Sequence, residues 1–183
     1  MIEFESERHG TLCLIGNLVV ATGELIAPTL GPTRTEADFA NHIEQTVATD
    51  PDGSWVFVAD NLNIHCSESL VRLVAETCEV AADLGKKGRR GVLKSVASRQ
   101  AFLSESSHRI RFVYLPKHSS WLNQIETWFS ILVRKLLKRS SFCSLEELEQ
   151  RILRFIDYFN LTMAKPIAWL YSPRPLFEPD STG

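Results

Sequence analysis

Cysteine is scarce and scattered. The chain of 183 residues has four, Cys13, Cys66, Cys78 and Cys143, and no C-x-x-C pair. That pattern excludes a disulfide framework and a thiolate zinc site, and points to reduced thiols in a cytoplasmic setting. No apolar run approaches the roughly 18 residues a membrane span needs. The start, MIEFESERHG, lacks the basic region and apolar stretch of a signal peptide. An excess of one charge is missing too. A net charge of −2 argues against a generic basic coat for nucleic acid, while leaving locally basic surface open. There is no internal repeat and no clear domain boundary. The 44% apolar and 23% charged content fits one soluble globular domain with enough length to bury a core. Asn160-Leu-Thr fits a glycosylation sequon, but without secretion it reads as chance.

What is present divides into short, well-punctuated segments. GTLCLIGNLVVATGELIAPTLG predicts two strands, 11–20 and 24–30, folded about Gly23, which can adopt the positive φ of a tight turn. Thr35 and Asp38 have capping-box spacing, and Phe39, Ile43 and Val47 recur four apart, predicting a helix over 36–48. After the Pro51–Gly53 turn, residues 54–60 form a short apolar strand of the kind buried on both faces of a sheet. Leu70, Leu73, Val74, Cys78 and Ala81 mark a helix over 67–83. GKKGRRGVLKS reads as a flexible basic loop, followed by a short helix over 96–103 and a strand over 109–115 that Pro116 stops. Helices over 123–139 and 145–160 follow, the second opened by Ser144 and Glu147 in capping-box spacing. The proline-bearing tail, 165–183, is expected to be irregular, leaving 1–164 as the domain. Strand 54–60, helix 67–83 and strand 109–115 form a β-α-β unit with parallel strands. With the hairpin before it, that gives an α/β fold, a mixed sheet flanked by helices.

Two carboxylates carry the chemical interest. Asp60 ends the strand in WVFVADNLNIH, where it either starts a turn or caps a helix, or faces a ligand outside the strand's carboxyl end. Glu126 lies in WLNQIETWFSILVRKLLKR, between Val133 and Leu137 on the helical wheel, at the edge of the apolar arc, with Thr127, Arg134 and Lys138 on the solvent side. It is either half of a capping box with Asn123 or a carboxylate turned toward the sheet, where a cation would offset the cost of burial. A phosphatase-type nucleophile at Asp60 would want a second acid two residues on, and Leu62 stands there.

FVADNLNIH followed by RFVYLPKHSSWLNQIETWFSIL resembles the second and third acidic motifs of DDE-type transposases, insertion-sequence enzymes related to the mariner group. The similarity runs from about Gly10 through FIDYFNLTMAKP and RPL, and LPKHSSWLNQIE is its specific part. The resemblance implies an RNase H-like fold, DNA transposition by metal-dependent strand cleavage and transfer, and DNA (transposon ends and target) as partner. It matches Asp60 and Glu126 to the second and third acidic residues, as catalytic metal ligands. Asn61, His65, Ser120, Trp121, Leu122 and Asn123 fall on motif positions without an assigned role. Two Mg²⁺ or Mn²⁺ ions are expected in the complete family site, roughly 3.5–4 Å apart, and hard oxygen ligands suit them. Self-association is also a reading the family allows, whereas a membrane is not.

The same resemblance implies a first acidic residue at the end of a strand before the hairpin. Glu3, Glu5 and Glu7 are not in a strand-ending Asp-Glu motif, and Asp38, Asp50 and Asp52 fall on a helix and a turn. The expectation is a domain missing its first strand and first acid, inactive as a transposase by itself. The alternative is a non-catalytic remnant that folds, or binds DNA or a partner, without cutting. The separation of Asp60 from Glu126 is wider than the mariner-like pattern, and the basic segment accounts for the excess. Lys86, Lys87, Arg89, Arg90, Lys94 and Arg99, with no acid between them, are candidate phosphate contacts or a solvated loop. Arg134, Lys135, Lys138 and Arg139 make a second cluster open to both readings.

Overall fold

The computed structural model describes residues 10–116 and 124–167. β1 (Cys13–Leu18) and β2 (Leu25–Gly31) pair antiparallel. Their turn closes through Val19 N–H to Glu24 O (2.8 Å) and Gly23 N–H to Val19 O (2.6 Å). Gly23 has φ 76°, and a Cβ there would run into the backbone of Lys165. The positive φ expected of Gly23 is therefore required twice over. Pro28 lies inside β2, where its missing N–H would break the ladder. The register shifts there, Ile15 opposing Thr29 but Asn17 opposing Ile26, and Ala27 takes φ 44°. This bulge on β2 accommodates the proline.

α1 (Glu36–Val47) starts on the expected capping box, Thr35 accepting from Asp38 N–H and the Asp38 carboxylate accepting from Thr35 N–H (2.7 Å). β3 (Trp55–Ala59) and β4 (Ile110–Tyr114) pair in parallel, Trp55 opposite Ile110 and Ala59 opposite Tyr114. Between them run α2 (Glu68–Thr77) and α3 (Val96–Leu103). α2 ends six residues before the predicted boundary, because Glu79 takes φ 52°, a left-handed conformation that a helix cannot continue through. α4 (Gln124–Lys135) passes into a 3-10 turn at Leu137–Arg139. α5 (Leu145–Thr162) has half of its predicted box. Ser144 accepts from Glu147 N–H, but the Glu147 carboxylate accepts from Cys143 N–H (2.8 Å) instead of Ser144.

The α/β class and both pairing senses hold, with the four strands arranged as two two-stranded sheets. β3 is not buried on both faces as predicted. Its residues alternate, Phe57 and Ala59 packing on the core while Val56 and Val58 are 51% and 39% exposed. Val113 of β4 is exposed beside them. Among the described residues nothing covers that face, so the apolar run comes from a two-sided strand with valines outside, not from double burial.

Two cores result. One gathers Phe39, Ile43 and Val47 of α1, Leu70 and Val74 of α2, Leu103, Ile110 and Phe112. The other gathers Leu25, Trp128, Leu132, Ile152, Ile156 and Phe159. The hairpin lies between them, Ile15 packing on the first core and Leu14, Leu18 and Leu30 on the second. Asn160 fastens α5 to β2, its amide accepting from Leu25 N–H and donating to Leu25 O, each 2.9 Å.

Candidate active site

The apolar alternation of β3 delivers the chain to Asp60 at the strand's carboxyl end, half-buried. One carboxylate oxygen, Oδ1, is fully occupied. It accepts from Leu62 N–H at 3.0 Å, the Asx turn that residue type favours, and from His65 Nδ1 at 2.6 Å. No hydrogen bond from a described residue reaches the other oxygen, Oδ2. Asp60 thus makes its turn with one atom and, among the described residues, leaves the second without a partner, so the two readings of the sequence are not exclusive.

His65 sits in a 3-10 turn, Asn63–Cys66. Its ring packs on Phe39 of α1, centroids 4.5 Å apart. Its carbonyl accepts from the Tyr114 hydroxyl at 2.7 Å, and its own N–H reaches Leu62 O at 3.0 Å. Burial pushes the Tyr114 phenol well above its ordinary range, so it stays a neutral donor. Asn61 also finds a role. Its amide donates to Leu115 O and accepts from Gln100 Nε2 (3.0 Å), tying the end of β3 to the end of β4 and to α3.

Glu126 lies differently from the expectation. It is exposed, in the first turn of α4. The buried stripe of this helix is centred on Trp128 and Leu132, flanked by Ile125, Phe129 and Leu136. Glu126 shares its face with Val133, which is itself 37% exposed. Counting Val133 as core widens the apolar arc and draws Glu126 into it. The ion pairs of the described residues do not include Glu126. Asn123, with Ser120, Trp121 and Leu122, lies outside the described residues, so the capping box expected with Glu126 does too.

A family model for the DDE superfamily endonucleases matches residues 2–149. The chain belongs to that family. No curated protein and no solved structure matches it. The match includes both candidate carboxylates, Asp60 and Glu126, and stops a few residues into α5. Membership makes a transposase-type nuclease the functional class and DNA the partner class of this DDE domain.

Do its residues suit a divalent cation? Asp60 Oδ2 and the exposed Glu126 are hard oxygen donors with no cation already paired to them among the described residues, and Mg²⁺ is commonly held by one or two carboxylates with waters. Among the described residues no group of three or more His, Cys, Asp or Glu side chains could share one ion. The donor chemistry fits, and the protein donors among the described residues are few.

The basic segment is more ordered than a flexible loop. Lys86 and Arg90 form a bridge, N–H to O at 3.0 and 3.2 Å, and Leu93 and Val92 pair back to Leu84 and Asp83. Gly91, at φ 69°, could not carry a Cβ, which would lie 2.5 Å from Asp83 O. Lys86, Lys87, Arg89, Arg90 and Lys94 are exposed on this turn, and Lys87 pairs with Glu36 at 3.4 Å. Arg99 must be withdrawn from the candidates. It is only 7% exposed, its guanidinium donating to Cys66 O (2.6 Å) and Leu93 O (3.4 Å), where it satisfies carbonyls of the interior and not a surface ligand. Periodicity could have warned of this, since Arg99 stands four residues before Leu103 on the inner face of α3. Phe39, Gln100 and Tyr114, which hold His65 and Asn61, had no comparable signal. Their contacts cross long sequence separations. Arg134, Lys135 and Lys138 are exposed on and after α4.

Among the described residues no helix is long and apolar enough to cross a membrane.

Proposed function

We propose that this DDE-family domain acts in DNA transposition in the cytoplasm, through metal-dependent cleavage and transfer of DNA strands, with Asp60 and Glu126 as carboxylate donors. The observation that carries this is the divided role of Asp60: one oxygen anchored by the fold, the other without a hydrogen bond from any described residue, at a strand's carboxyl end, where ligands gather in open α/β folds. Mg²⁺ or Mn²⁺ bound there would activate the attacking hydroxyl and offset charge on the leaving oxygen. The chain's own part is to supply oxygens from two separate elements, β3 and α4. It also presents phosphate-binding cations on a turn whose shape is set by backbone hydrogen bonds. Lys86, Lys87, Arg89, Arg90 and Lys94 are proposed for that contact.

A non-catalytic role, in DNA or partner binding alone, is the second reading. It is favoured by the exposure of Glu126 and by the lack of a third ligand near either acid among the described residues. The resemblance to the family asks for three acids and two are assigned here, so metal binding is the property to test first. Calorimetry with Mg²⁺ and Mn²⁺, with and without end-containing duplex, separates the readings. Binding lost in Asp60→Asn and weakened in Glu126→Gln supports the metal site, and no binding under either condition leaves the second reading. Robust nicking abolished by Glu126→Gln would overturn the need for a third acid. On the same duplex, neutralising the exposed basic turn should reduce the salt slope by about 0.9 for each phosphate it grips.

A further inference from the structure

We propose that His65 is a positioning residue for Asp60, fixing the carboxylate rotamer so that Oδ2 stays presented for metal ligation. The inference rests on the proposed metal reading of Asp60 and adds a residue whose role neither family membership nor the sequence assigns.

The geometry assigns the part to the ring and not only to the turn. The Leu62 N–H could satisfy Oδ1 by itself and leave the carboxylate to rock about that one bond. The second donor on the same oxygen, His65 Nδ1 at 2.6 Å, adds a separate bond that restricts that freedom. Placing both bonds on one oxygen also leaves Oδ2 clear, as sharing the bonds between the oxygens would not. A donor positions well only if it is itself held, and His65 is held three ways: by Phe39 against its ring, by Tyr114 on its carbonyl and by the 3-10 turn through its N–H. α1 therefore packs on the imidazole, while β4 and the turn after β3 fix the backbone that carries it. The His65 side chain is 17% exposed and that of Asp60 31%, a gradient that leaves the carboxylate as the outer group of the pair. A histidine kept only for packing would need the Phe39 contact but not a bond to the one acid at the strand end. Hydrogen-bonded neighbours that orient a metal ligand commonly control affinity by 10–100-fold.

Two amide replacements separate the donor from the ring. The side-chain nitrogen introduced by His65→Asn falls where Nδ1 was, whereas the one introduced by His65→Gln falls near Nε2. The measurement is Mn²⁺ affinity of the full chain by calorimetry, with circular dichroism to check folding, for wild type, Asp60→Asn, His65→Asn, His65→Gln and His65→Ala. His65→Gln and His65→Ala should weaken Mn²⁺ binding about 10–100-fold, while His65→Asn stays within about threefold of wild type. Overturning results are His65→Gln matching wild type, or His65→Asn falling with His65→Gln while both remain folded. Should His65→Ala fail to fold, the contrast between His65→Asn and His65→Gln still decides. If the wild type binds no Mn²⁺, or Asp60→Asn binds as well as wild type, the metal reading of Asp60 fails first and takes the inference with it.

Discussion

Asp60 and Glu126, the two carboxylates proposed here as metal donors, belong to different surroundings. Asp60 stands over the larger core, its carboxylate engaged by two donors and backed by Asn61, His65, Gln100 and Tyr114. Glu126 projects from a helix packed on the smaller core, with no ion-pair partner among the described residues. The difference teaches that two acids proposed for one role need not share structural investment. Asp60 is held by the fold itself, whereas no ion pair among the described residues holds Glu126.

The largest expected effect tests whether the two surroundings are one cooperative body. Trp128 fills the smaller core, 2% exposed, with Phe129, Phe155 and Phe159 edge-on at 5.5, 6.2 and 5.9 Å. Trp128→Ala should cost about 3–5 kcal/mol. Because the hairpin packs on both cores, unfolding should stay a single transition, moved to lower denaturant. Two separate transitions in denaturant would show that the region around Asp60 folds without α4 and α5.

Acid should attack the seam between the regions next. His42 of α1 is fully buried against the hairpin. Its Nε2 accepts from the Asn17 amide (2.8 Å), which also donates to Thr46 Oγ1 (2.7 Å), and its Nδ1 donates to Thr29 Oγ1 (2.8 Å). This network suits a neutral ring, and burial lowers its pKa to about 4. The unfolded chain, with an ordinary histidine near 6.5, then takes up the proton first. Stability is full above about pH 6.5 and falls as pH drops toward 4, by up to about 1.4 kcal/mol per pH unit and roughly 3 kcal/mol in all. Chemical denaturation at pH 7 and pH 4.5 measures this, and a His42→Gln variant should lose most of the slope. An unchanged slope in that variant would assign the acid sensitivity to other groups.

The sequence shows the fold more clearly than the site, and the reason is range. Capping at Thr35, the Gly23 turn and the parallel pairing of β3 with β4 follow from neighbours a few residues apart or from the spacing of whole elements. What escapes is set at a distance. Arg99 reads as one more cation in a basic run until Cys66 O, far along the chain, appears as its acceptor. Val56, Val58 and Val133 are apolar and exposed, so apolar counting overstates burial at β3 and at Glu126. Asp60 itself is legible as a strand-end acid. That one of its oxygens is spoken for, and by His65, is a fact of three dimensions.

The smallest expected effects bear most directly on the contrast between the acids. Asp60→Asn keeps the size of the side chain but exchanges a carboxylate for a neutral acceptor facing the Leu62 N–H and His65. Losing that charge assistance should cost about 1–2 kcal/mol in the metal-free protein. Glu126→Gln removes an exposed charge with no ion-pair partner among the described residues and should stay within about 0.5 kcal/mol. Denaturant midpoints in the presence of chelator compare the two directly. With saturating Mn²⁺ the order should tighten, because stabilisation by a ligand depends on how strongly the native state binds it, and both variants would forgo part of that gain. Equal losses without metal would mean that Glu126 is held by groups outside the described residues, and the contrast between a prepared acid and a recruited one would not stand.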